Sequence, residues 1–159
     1  THRDQEALGT LTALLAETLT LAHDEGVTIR PDEAGRRWAR RNVAQDSTTP
    51  ASSAGAWLAK IGHMIDVLQE WGYTPNVRTQ DGGRTAVIDL VHCPFLELAH
   101  SNTAVVCGIH RGLIAGSMEQ LGEHETAVSL EPFLQPHLCR AHVTTRTPFG
   151  ARLESKEDQ

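Results

Sequence analysis

Apolar residues in the first stretch of the chain, Leu8, Leu11, Leu14, Leu15, Leu19 and Ala22, recur at steps of three and four. That spacing predicts one face of an amphipathic helix over residues 4–23, closed by Gly26. Pro31 and Asp32 open a second predicted helix, which carries Ala34, Trp38 and Ala39 among Arg36, Arg37, Arg40 and Arg41. The arginines read as a solvated helix face. Residues 45–53 are small and polar with one proline, the composition of a flexible connection. Beyond it Trp57, Leu58, Ile61, Met64, Ile65, Leu68 and Trp71 return to helical spacing, and Gly72 ends that helix.

The pattern then changes to that of strands. Residues 76–80 and 84–91 flank Asp81-Gly82-Gly83, a hairpin signal because glycine accepts the positive φ of a tight turn. A further helix is expected over 103–121, stopped by Gly122, followed by short strands at 127–130 and 139–145. The predicted class is α+β, with N-terminal helices followed by a small antiparallel sheet packed against helices. The organisation expected is an N-terminal helical arm (1–44) offering a dimerisation face, a flexible linker (45–53), an effector domain (54–146) and a charged tail (147–159).

Composition narrows the function. The chain of 159 residues has a formal charge of −6, which opposes a grip on a phosphate backbone, since such binding draws on clustered Lys and Arg. No apolar run approaches the roughly 20 residues that cross a bilayer, and the start lacks the basic-then-apolar pattern of a secretory signal. The reading is therefore a cytoplasmic protein with no membrane partner; the Thr1 start favours a trimmed end over a natural stand-alone domain. No glycine-rich phosphate loop follows a predicted strand, so nucleotide binding has no support.

Three cysteines cannot all pair within one chain, and a reducing cytoplasm disfavours disulfides. Each lies at a predicted boundary: Cys93 where a strand ends, Cys107 in the first turns of a helix, Cys139 where the last strand begins. Proline after Cys93 and the Gln135-Pro136-His137 turn before Cys139 free both sulfurs from the sheet. Cys107 and His110 lie about one helical turn apart on one face. Three thiolates and an imidazole make a closed zinc set, and three thiolates equally hold an iron–sulfur cluster. The expected centre is Cys93, Cys107, His110 and Cys139, holding an iron–sulfur cluster or Zn²⁺. His92, Glu97, His100 and His142 are weaker ligand candidates.

Other readings compete. Cysteine is among the most buried residue types, so the three are also readable as small core residues. Cys107 near a helix N-terminus, with His110 as its base, is a pattern for a nucleophile of lowered pKa. No orienting third residue or oxyanion loop accompanies it, and the expectation is that the chain is not an enzyme. A third reading is a module with a purely structural zinc that senses a small organic ligand in a pocket lined by Trp57, Met64 and Phe95.

His92-Cys93-Pro94-Phe95-Leu96-Glu97-Leu98-Ala99, Val105-Val106-Cys107-Gly108-Ile109-His110, Leu130-Glu131-Pro132-Phe133 and Cys139 follow one another in a familiar order. Together they resemble the C-terminal domain of actinobacterial ArsR/DeoR-like winged-helix regulators, the group that includes the SufR-type iron–sulfur repressors. Glu33-Ala34-Gly35-Arg36-Arg37 and Leu68-Gln69-Glu70-Trp71-Gly72-Tyr73 extend the likeness upstream. The resemblance implies a homodimer, a winged helix preceding this segment that contacts operator DNA, and Cys93, Cys107 and Cys139 at the sensing or stabilising centre. The chain departs from many relatives in having Leu138-Cys139 for Cys-Cys, His92 for Asn before Cys-Pro, and an imidazole at His110.

Overall fold

The computed structural model describes residues 2–149 and holds five helices and a four-stranded antiparallel sheet. Helix α1 spans His2–Glu25, α2 Pro31–Asn42 and α3 Ala54–Glu70. Strand β1 (Thr74–Gln80) turns through a short 3-10 segment, Asp81–Gly83, into β2 (Thr85–Val91). Helices α4 (Leu96–Ser101) and α5 (Thr103–Gln120) follow, then β3 (Thr126–Gln135) and β4 (Leu138–Thr145). The predicted α+β class and the order of its main elements stand. The additions are α4 and the longer β3, and the charged tail expected at 147–159 lies almost wholly outside the described residues. Among the described residues no helix is long and apolar enough to cross a membrane.

Local chemistry accounts for the boundaries. Pro31 begins α2, where its missing N–H costs nothing, and Ser53 caps α3 by accepting a hydrogen bond from the Ala56 N–H at 3.1 Å. Gly72, at φ 94°, ends α3: the Tyr73 N–H reaches back to the Leu68 carbonyl at 3.1 Å and so turns Tyr73 into β1.

The strands lie in the order β1-β2-β4-β3. Leu90 pairs with Cys139, Ile88 with Ala141 and Ala86 with Val143, so these six share the face that joins the core with Trp57, Ile61, Leu68, Trp71, Ile109 and Leu113. The opposite face is polar. There Asp89 bonds Arg140 at 2.7 Å and Arg78 at 3.0 Å, and the Arg140 hydrogen bond is the main reason the Asp89 carboxyl is held below the usual range.

Helix α2, expected in an N-terminal arm, instead lies backbone against backbone on α5. Gly108, Gly112 and Gly116 of α5 face Pro31, Asp32 and Arg36, and Gly35 of α2 faces the main chain at Ile109. A Cβ at Gly108 would come within 2.8 Å of Pro31, and one at Gly112 would fall inside the Asp32 carbonyl. The arginine side chains of α2 take carboxylate partners: Arg36 on Glu119, Arg37 and Arg40 on Glu33, Arg41 on Glu17. On α1, Leu11 and Leu14 enter the core, whereas Leu8, Leu15 and Leu19 remain exposed. The connection after α2 forms neither helix nor strand, yet Ala51 is buried and its N–H donates to Glu123 at 2.6 Å.

Candidate functional site

The register of the sheet builds the site. Thr74 pairs with Val91, and Val91 with Leu138, so the start of β1, the end of β2 and the start of β4 share one end of the sheet. Tyr73, Cys93 and Cys139 are therefore brought together although they are far apart in sequence. Helix α5 closes the site from above, presenting Cys107 and His110.

Tyr73 sits at the middle. It is 1% exposed, and its hydroxyl oxygen lies 2.8 Å from Nδ1 and 2.5 Å from Nε2 of His110. The Cys93 thiol donates toward the same oxygen at 3.7 Å. Trp71 and Phe95 pack around the imidazole, with ring centroids 6.3 Å and 5.8 Å from it. In this apolar setting burial pushes His110 down to about 3, so the ring is neutral and accepts the Tyr73 hydroxyl proton. Burial is also the main cause that raises the Tyr73 phenol, and charge on Cys93, Cys139 or Cys107 would raise it further.

The thiols sense one another. Burial raises Cys93 despite hydrogen bonds at Phe95 and Tyr73 that favour its thiolate, and Cys139 adds to the rise. Cys107 is pushed up to about 11, first by burial and then by Cys139 and Cys93, with Arg111 opposing. Helix polarity does not rescue it, because Cys107 is the fifth residue of α5 and the dipole's effect fades beyond the first turn. A thiol raised in this way is the opposite of the lowered-pKa nucleophile that the alternative reading of Cys107 and His110 requires. At neutral pH the site holds thiols at Cys93 and Cys107, a phenol and a neutral imidazole.

Among the described residues no group of three His, Cys, Asp or Glu side chains closes to metal-ligand spacing. The expected Cys/His set is thus not formed as a closed coordination shell, and His110 spends its ring nitrogens on Tyr73. The three cysteines nevertheless share one neighbourhood.

No protein-family model matches this sequence, and no curated protein matches it.

Of the weaker ligand candidates, His142 and His100 have other partners, and His92 and Glu97 lie beside Cys93. His142 stands three residues from Cys139 on β4, so strand alternation turns it to the polar face, where it lies 3.4 Å from Glu131. His100, placed on α4, stacks on Phe133 with centroids 3.9 Å apart. His92 and Glu97 line an open cavity of about 520 Å³ beside Cys93, together with Asp4 and His137. Trp57 and Met64, expected to line a ligand pocket, are fully buried core, and Phe95 packs on His110 with one edge toward that cavity. Sequence reasoning missed Tyr73. Its only signal was a hydroxyl-bearing aromatic directly after a helix-ending glycine.

Proposed function

We propose that this chain is the sensing half of a transcription regulator, holding an iron–sulfur cluster through Cys93, Cys107 and Cys139 and passing its state to a DNA-binding domain outside these residues. What supports the reading is that sheet register and helix α5 bring three sequence-distant cysteines near enough to feel one another's charge, with Cys93 bonded to Tyr73, although among the described residues they do not close to metal-ligand spacing. A cluster would supply redox- and ligand-sensitive iron to the site. The chain would supply three thiols that give up their protons on binding and tie the end of β2, helix α5 and the start of β4 together. A cluster is favoured over one zinc ion because three thiolates suffice for it, whereas a closed tetrahedral zinc needs a fourth ligand. Each cluster iron takes a separate thiolate, and His110 already bonds Tyr73. A second copy would pack on α1 through Leu8, Leu15 and Leu19.

The test is purification without oxygen, followed by a visible spectrum and analysis for iron, acid-labile sulfide and zinc. Brown protein with iron and sulfide in equal amounts is expected, with Cys93→Ser, Cys107→Ser and Cys139→Ser each losing most of the colour. Colourless protein with one equivalent of zinc would replace the cluster by a structural ion. Neither metal, with a normally folded Cys107→Ser variant, would defeat the sensor reading.

A further inference from the structure

Arginines on the surface of an acidic protein ordinarily find acceptors, and here nearly all do. Those of α2 and of the polar sheet face are set against carboxylates, while Arg3 and Arg84 donate to main-chain carbonyls. Among the described residues, the guanidinium groups of Arg111 and Arg146 have neither a carboxylate nor a hydrogen-bond acceptor. Both line the same small cavity, and Arg36 is its third cation.

That cavity, of about 190 Å³, lies where α2, α5, the start of β3 and the end of β4 meet. Gly112 and Ala115 leave its floor clear of long side chains. Its acid is Asp32, held by Arg30 at 3.3 Å, and Glu119 is taken by Arg36. Two positive charges are left over. The Thr126 hydroxyl on the rim already donates to the Glu123 carbonyl, so recognition falls to the guanidinium groups. We propose that Arg36, Arg111 and Arg146 form a binding site for a small tetrahedral oxyanion, phosphate or sulfate. Guanidinium forks match paired oxygens of such an ion, and an anion among unneutralised cations relieves their repulsion. The volume equals that of about six liquid waters, enough for the ion but not for a nucleotide. No cysteine lines this cavity.

Calorimetric titration of the full chain with inorganic phosphate, and separately with sulfate, at ionic strength held constant with chloride, tests it. Saturable binding of one ion is expected, weakened about tenfold or more by Arg111→Ala or Arg146→Ala and unchanged in the doubly substituted Arg40→Ala/Arg41→Ala protein. Both cavity arginines are exposed, so circular dichroism should show their variants folded as the parent. Heats no different from chloride, or binding that survives in the Arg111→Ala/Arg146→Ala protein, would overturn the proposal.

Discussion

Tyr73 takes a hydrogen bond from Cys93 and gives one to His110, so a single phenol connects that cysteine to the buried imidazole. The linkage has a pH signature. His110 titrates near 3 when folded against about 6.5 when unfolded, so between those values the unfolded chain binds more protons and stability rises with pH. The contribution is complete above pH 6.5 and is lost as pH falls toward 3. At the alkaline end Cys107, raised to about 11, keeps its proton when folded, so stability falls as pH climbs from about 9. Urea titration of reduced, metal-free protein should therefore show a plateau between these limits. Its slope between pH 5 and 6.5 should approach at most about 1.4 kcal/mol per pH unit and flatten in His110→Gln. Asp89 acts only at lower pH, and an unchanged slope in that variant would show that another group is responsible. His92, a weaker ligand candidate from sequence, has a φ of 60° beside Cys93. Histidine is among the residues that tolerate that left-handed region.

Between elements, the tightest join is the α2–α5 seam, and it depends on residues with no side chain. Gly112→Ala should cost about 3 kcal/mol, because the new methyl overlaps the Asp32 carbonyl and only a shift of a whole helix relieves it. Gly62→Ala on α3 meets nothing within 4 Å and should instead stabilise by up to about 1 kcal/mol through helix propensity. Chemical denaturation of the two variants checks the contrast, and equal effects would mean that the helices can part without penalty. Hydrophobic periodicity could not see this seam, since glycine reads as neutral or helix-weakening until a partner backbone is known. The same blindness hid α4, a six-residue helix without a side-chain cap. The hairpin at 81–83 was legible because its glycines answer a local demand for positive φ.

Across the whole molecule, the stretch expected to be a loose linker is fastened to the far end of α5. Lys60 on α3 bonds Glu123 at 2.7 Å and the Thr49 carbonyl at 2.6 Å, while Glu123 also accepts from Ala51. Glu123 is 1% exposed, so Lys60→Met should cost about 3 kcal/mol and raise the rate of proteolysis within 45–53. Cleavage rates matching the parent would show that the connection is held by other contacts. The amino-acid sequence by itself determined the four longer helices, the hairpin, the α+β class and the placing of each cysteine near an element boundary. All of these follow from periodicity, caps and turn residues, which act over a few positions. Only the tertiary structure decided that Tyr73 and His110 pair, that His142 faces away from Cys139, and that α2 belongs with α5. Those outcomes rest on strand register, on which face a side chain occupies and on close backbone approach, and each of these needs a partner distant in the chain.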